Sequence, residues 1–372
     1  MKFTKTFPLL LSAAGAIGGS AALAEDMKLP SPEEQEVMAP NEDELIAGIQ
    51  EVVLQRMRDT YPGDKTMKRD AHPKTHGLAE AKLVVEPHLP AEFRQGIFAN
   101  GGEYDAVVRF SSSSQMVTPD VVQQPQGMAI KVLGVEGPKI LEGFEDATTQ
   151  DFVMINHPTF FVKDLDSYLT LFQAQVGEPE ELKKWAEEHP DSVQTIGAMI
   201  AEESYNPAGI QYWSQTPYKF GDRVAKYTLR PQSGASNERP DVMLLTYQRE
   251  YLVDTLKEGE VRYEFLIQLQ KDVEKQPLEN PMVEWMVEDT QPIRVATLII
   301  PQQDISPEEN LKVAEDMSFS VWHSLEEHRP LGAVNRARRP IYKAGAEQRR
   351  EANGVEDMSE PTEVPNVNGE DG

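Results

Sequence analysis

Eight short apolar runs, each bounded by glycine, proline or polar residues, constrain this chain more than any other feature. They are AKLVVE (81–86), YDAVVRFS (104–111), GMAIKVL (127–133), DFVMIN (151–156), RVAKYTLRP (223–231), DVMLLTY (241–247), VRYEFLIQLQ (261–270) and IRVATLIIP (293–301). Runs of this length, rich in β-branched and aromatic residues, read as strands. Stretches of helical period interrupt them. Ile46, Ile49, Val53 and Met57 share one helix face behind a capping-box pattern at Asn41 and Glu44, and Leu165, Leu169, Phe172 and Val176 share another behind Asp164. Ser306-Pro307-Glu308-Glu309 starts a further helix, and the last is expected over about 338–350. Such a chain is α+β. It suits either an antiparallel barrel with flanking helices or two smaller α+β domains, and periodicity does not choose between them.

The ends differ from the middle. Residues 1–24 have the form of a secretory signal peptide: Lys2 and Lys5, then a Leu-, Ala- and Gly-rich stretch ending in Ala22-Leu23-Ala24. Cleavage after Ala24 is expected, with export, most simply to a periplasm. No later segment is long and apolar enough to span a membrane. Residues 25–40 read as an exposed arm, so an N-terminal arm and helix (25–64) precede the main domain (65–350). Residues 351–372, with seven acidic and no basic side chains, read as a disordered acidic tail.

With 62 acidic against 36 basic residues the net charge is −26, which disfavours nucleic acid and anionic lipid as partners. There is no cysteine. Disulfides, thiolate-ligated or covalently attached haem, cysteine peroxidase chemistry and iron–sulfur clusters are thereby excluded.

Four stretches carry side chains suited to chemistry. In MKRDAHPKTHG (67–77), His72 and His76 stand four apart, the spacing of a zinc pair on a helix. Pro73 and Gly77 argue against a helix, and in an extended chain residues 72, 74 and 76 face one way. In VVRFSSSS, Arg109 and Ser111 share a strand face; the arginine either lies on an exposed edge or, if buried, needs an anion. In DFVMINHPTFFVKD, Asn156 either ends an apolar row as a functional amide or forms the turn before Pro158. In NRARRPIYKAGAEQRR, a helix aligns Arg338, Tyr342 and Arg349, so two guanidiniums flank a phenol. On so acidic a chain, that basic stripe points to an internal anionic ligand.

In this order, the pieces resemble the core of the haem-dependent catalase superfamily, which includes catalases, small catalase-related peroxidases and allene oxide synthases. The resemblance covers roughly residues 65–350. It implies an eight-stranded antiparallel barrel with flanking helices around a non-covalent haem b, and a catalase-like or peroxidase activity on hydrogen peroxide or organic hydroperoxides with an unidentified reductant. Arg69-Asp70-Ala71-His72 is similar to the family's R-x-x-H, making His72 the distal acid–base, with His76 a rival. Val108-Arg109-Phe110-Ser111 matches its VRFS, with Arg109 on a propionate and Ser111 bonded to the distal histidine. Gly127 to Val132 is similar to its GFAVKF. Ile155 to Asp164 resembles NNTPxFFxRD, implying Asn156 as the distal amide, one place out of register, and Phe161 and Tyr168 beside the haem. Arg338 to Tyr342 matches R-x-x-x-Y, with Tyr342 as iron ligand, and Arg349 joins Arg69 and Arg109 at the propionates. Pro340 inside that motif implies a helix beginning near residue 339. A converter of lipid hydroperoxides and a non-enzymatic periplasmic haem-binding protein are the alternative readings.

Overall fold

The computed structural model describes residues 29–63 and 65–367; the expected signal peptide lies outside the described residues. Nine strands form one antiparallel sheet: β1 (Lys74–Val85), β2 (Gly102–Ser112), β3 (Gln126–Leu133), β4 (Thr149–Ile155), β5 (Tyr212–Trp213), β6 (Tyr218–Phe220), β7 (Arg223–Ser233), β8 (Val261–Leu269) and β9 (Ile293–Ile300). Their order is β5-β4-β3-β2-β1-β9-β8-β7-β6, and pairing of β5 with β7 closes eight of them into a barrel, with β6 a hairpin partner of β7. Closure removes the exposed sheet edges.

Alternation along each strand fills the barrel. Val108 and Phe110 of β2, Ile130 and Val132 of β3, and Phe152 of β4 point inward. There they meet Phe98, Tyr227 and Phe265, with Phe152 and Tyr227 packed edge to face at 5.2 Å. The neighbouring residues Arg109, Ser111, Ala129 and Val153 therefore face outward. Against that outer face pack α2 (Glu42–Thr60), α3 (Leu165–Val176) and α8 (Ala333–Ala352), whose apolar stripes form a second core around Ile49, Val53, Met57, Phe172 and Ile341. The remaining helices are α1 (Pro32–Gln35), α4 (Pro179–Glu188), α5 (Pro190–Ala201), α6 (Tyr247–Glu258) and α7 (Glu308–Asp316).

Several expectations are corrected. DVMLLTY is not a strand: residues 241–246 form a loop that leads into α6, with Val242, Leu244 and Leu245 all more than half exposed. Having no strand partner, that run gains nothing from extension. The eighth barrel strand is instead the two-residue β5, too short for periodicity to register. Asn41 flanks α2 without making a side-chain cap. The arm is exposed over much of its length, Val37 and Met38 included, but it is also anchored, because Glu36 pairs with Arg329 at 2.7 Å and Arg336 at 2.9 Å. Nor does the tail hang free: Glu360 and Val367 are buried against the barrel's outer side.

Candidate functional site: a cavity between barrel and helices

A cavity of about 160 Å3 lies between the outer face of β2–β4 and helices α2, α3 and α8. Small residues keep it open: Gly127 and Ala129 on the barrel wall, Gly345 and Ala346 on α8. His72, Arg69, Arg109, Ser111, Tyr168, Arg338, Tyr342 and Arg349, all singled out from sequence, line it together.

His72 sits just before β1 with φ of +60°, a left-handed conformation that costs a non-glycine residue about 1–3 kcal/mol. Its ring meets Ser111, whose Oγ is 3.2 Å from Nδ1. Gly127 makes that approach possible, since a Cβ there would lie 2.5 Å from the imidazole. Burial, then Arg109, Arg338 and Arg69, push the His72 pKa down to about 3, so the ring is neutral at pH 7.

His76 does not share this site. The β1–β2 register shifts between Thr75 and Gly77, a bulge that breaks the alternation expected from residue 72 to 76. His76 Nε2 instead meets Ser112 Oγ at 2.7 Å, and Ser112 faces the side of β2 opposite to Ser111. The zinc-pair alternative fails with it. Among the described residues, the one His/Asp/Glu cluster with metal-binding spacing is Asp151, His323 and Glu360. There the Lys131 ammonium already contacts Asp151 at 2.7 and 2.8 Å and also contacts Glu360, so the cluster is a satisfied ion network.

The arginines are less well satisfied. Arg109 Nη2 donates to the His72 carbonyl and to Thr75 Oγ1, both at 2.7 Å, but its Nε makes no hydrogen bond. Arg349, 1% exposed, donates from Nη2 to the Met317 carbonyl at 3.0 Å, and its Nε and Nη1 make none. Arg69 donates to the Ala314 and Met317 carbonyls and pairs with Glu315 at 3.1 Å. Burial first, then mutual repulsion with Arg69, holds the Arg109 and Arg349 pKa values well below the usual arginine range. Unpaired buried guanidinium groups are costly. Donors left without acceptors in this way can take an anion.

On α8, Tyr342 and Arg349 lie on the cavity stripe as their spacing requires. Pro340 is not in a first turn, since the helix begins at Ala333 and continues through it. Arg338 donates to Thr216 Oγ1 at 3.1 Å and Asn335 Oδ1 at 3.0 Å; burial works against its charge, but Tyr342, Tyr218 and Tyr168 outweigh it and raise its pKa. Burial, then Tyr342, raises that of Tyr168.

Two sequence-derived residues stand outside the cavity wall. Asn156 is 1% exposed and spends its amide elsewhere, accepting from the Gln126 N–H at 2.7 Å and donating to Ser204 Oγ at 3.0 Å. Val153 and Met154 line the cavity in its neighbourhood. The one-place register offset of Asn156 is thus not absorbed by the loop. Phe161 packs on Phe160 (4.3 Å) and Tyr168 (5.6 Å), behind the ring that reaches the cavity. Sequence reasoning missed Glu315, Ser318 and Phe319; the one local sign was two acids, Glu315 and Asp316, in the last turn of α7, where the helix dipole disfavours them.

The sequence matches no family model and no curated protein. Solved structures do match. A fungal catalase superposes with TM-score 0.61 at 19% identity over 79% of this chain and 62% of its own. Catalase A from Saccharomyces cerevisiae gives 0.60, 16%, 76% and 61%, and a bacterial catalase 0.60, 17%, 93% and 67%. The chain therefore has the catalase fold, and it spans about three fifths to two thirds of the length of those catalases. Among the described residues, no helix is long and apolar enough to cross a membrane.

Proposed function

We propose that this chain is a haem-dependent oxidoreductase that consumes peroxide, holding a non-covalent haem b in the cavity with Tyr342 as the iron ligand. The observation that carries this reading is the set of guanidinium N–H groups on Arg109 and Arg349 that make no hydrogen bond, buried in a cavity that also holds a histidine and a tyrosine. With Arg69 they would take the two propionates, and Tyr168 contributes an aromatic wall. Ferric haem bound there would supply a redox-active iron for breaking a peroxide O–O bond. The chain itself handles protons and charge. Neutral His72 can accept a proton from a peroxide and return it to the departing oxygen. With the Ser111 hydrogen on the Gly127 carbonyl, 3.5 Å away, Ser111 accepts from His72 Nδ1–H and leaves Nε2 as the base. Arg338 provides the positive charge that complements an anionic oxygen ligand. The apolar leader supports export as part of the same reading.

A second reading, an organic hydroperoxide as the substrate, is favoured by one observation: Asn156 is turned away and Val153 and Met154 line the cavity instead. Titrating the purified protein with ferric haem tests both. Wild type should take up one haem per chain, and Tyr342→Phe should change the ferric spectrum and loosen the haem. His72→Ala should keep its haem while its reaction with peroxide slows about 100- to 10,000-fold. Oxygen release from hydrogen peroxide, donor oxidation, or turnover only with an alkyl hydroperoxide separates the activities. A protein that binds haem and does none of these is a haem carrier; one that binds no haem overturns the proposal.

A further inference from the structure

Outside the cavity lining but in contact with the arginines, Glu315 is buried, with its side chain 6% exposed. Its Oε1 lies 3.1 Å from Arg69 and 3.6 Å from Arg349, and its Oε2 lies 3.5 Å from Lys68. Burial alone would raise the pKa of this carboxyl, but Arg69, Arg349, Arg109 and Lys68 hold it below the usual range, so it is ionised at neutral pH. Its position is locally unfavourable, at the negative end of the α7 dipole beside Asp316 and with no basic residue in that turn. A helix keeps a carboxylate there only if something outside the helix needs it.

The charge count shows what that is. Three guanidiniums, those of buried Arg109 and Arg349 and of part-buried Arg69, face one buried carboxylate, leaving an excess of two positive charges. The other ions nearby change this little. Lys68 is one-third exposed, Asp316 is partly exposed, and Arg350 donates to the Asp357 and Met358 carbonyls. The N–H groups that make no hydrogen bond lie on Arg109 and Arg349, both in the cavity wall, while Glu315 does not line the cavity.

We propose that Glu315 sets the charge of this anion site, reducing three guanidiniums to a net charge matched to a dianionic ligand and holding the arginines together until that ligand arrives. The inference rests on the haem reading, with the two propionates as the dianion. Glu315 acts through the arginines and is a positioning residue. It stabilises the ligand-free protein and, by the same Coulomb interaction, weakens its grip on the ligand.

The test is a spectroscopic titration with ferric haem and with its dimethyl ester, combined with melting of the haem-free protein, for wild type, Glu315→Gln and Glu315→Ala. Wild type should bind haem at least about tenfold more tightly than the uncharged ester. Glu315→Gln keeps the shape and an acceptor for Arg69 but removes the charge. Its haem-free form should melt lower by roughly 5 °C or more, while its haem affinity should rise about 3- to 30-fold and its ester affinity should stay unchanged. Glu315→Ala loses the acceptor as well and should melt lower still. Glu315→Gln binding haem equally or more weakly, with wild type still preferring haem to the ester, overturns the role of Glu315 and leaves the haem reading intact. Equal wild-type binding of haem and ester overturns the dianion match even if both variants fail to fold. Wild type binding neither compound overturns the haem reading itself.

Discussion

Two buried ion clusters stand on the outer side of the barrel, and they are built to opposite specifications. In one, Lys131 meets Asp151 and Glu360, His323 Nδ1 lies 2.9 Å from Asp151, and Thr149 and Ser318 donate to Glu360. Burial works against the Lys131 charge, but Asp151 and Glu360 outweigh it and raise its pKa. Burial likewise opposes ionisation of Glu360, yet Lys131 and His323 pull its carboxyl down to about 2. The other cluster, around Arg69, Arg109 and Arg349, has one carboxylate for three guanidiniums and leaves three guanidinium nitrogens without a hydrogen bond. Completeness marks the first as a structural clasp that ties the C-terminal segment to β3 and β4. Incompleteness in the second is what the proposed binding site rests on. Ser318 touches both, since it lines the cavity and also donates to Glu360.

The sharpest way to break this comparison is to remove one cation from each cluster. Lys131→Met strands two buried carboxylates and should destabilise the haem-free protein by about 3–5 kcal/mol. Arg349→Met relieves repulsion in the other cluster, so the haem-free protein should be unchanged or slightly more stable in denaturant melts, yet retain haem poorly. Equal destabilisation by the two changes would mean that both clusters are structural.

A smaller effect is expected from the barrel wall. Gly127→Ala places a methyl group against the His72 ring and Ser111 Oγ, which should cost about 1–3 kcal/mol. Because His72 is the group displaced, the peroxide reaction of the haem-loaded protein should slow while haem uptake persists. Unchanged kinetics would show that His72 is not needed where the structure holds it.

Acid provides the gentlest probe. Burial and nearby cations put His72 and His76 at about 3, and burial puts His328 there too. Their folded values lie below the ordinary ~6.5, so the unfolded chain binds protons that the folded one excludes. Their contribution is complete above about pH 6.5 and is lost as pH falls toward 3, by up to ~1.4 kcal/mol per pH unit for each group. Glu360, held at about 2, adds to the loss only below its ordinary range near 4.5. Melting measured between pH 6.5 and 5 should therefore report the histidines, and His328→Asn should flatten the slope by about one proton. A flat profile in that window would contradict their burial as neutral rings.

Much of the site was legible because it is local. The R-x-x-H segment, the alternation that puts Arg109 and Ser111 on one strand face, and the helical stripe of Arg338, Tyr342 and Arg349 each depend on residues within about a dozen positions. The separation of His72 from His76 was not legible, because a bulge after Thr75 changes which face each side chain takes. The fate of Asn156 depended on Gln126 and Ser204, which lie 30 and 48 residues away.

By itself, then, the sequence determined most of the element types, the row of Arg109 and Ser111 on one strand face and the charged stripe of α8, since each follows from a period of 2 or 3.6 and the need to bury one face. Only the tertiary structure decided how the barrel closes, through Trp213 on Ile155 and Thr228, a link too short to carry any period. It alone also brought Glu315 to Arg69 across 246 residues and Glu360 to Lys131 across 229. The physical reason is common to these cases. A local pattern specifies which side chains leave water, but the partner that neutralises a buried charge is chosen by the packing of distant segments, and no spacing in the chain records it.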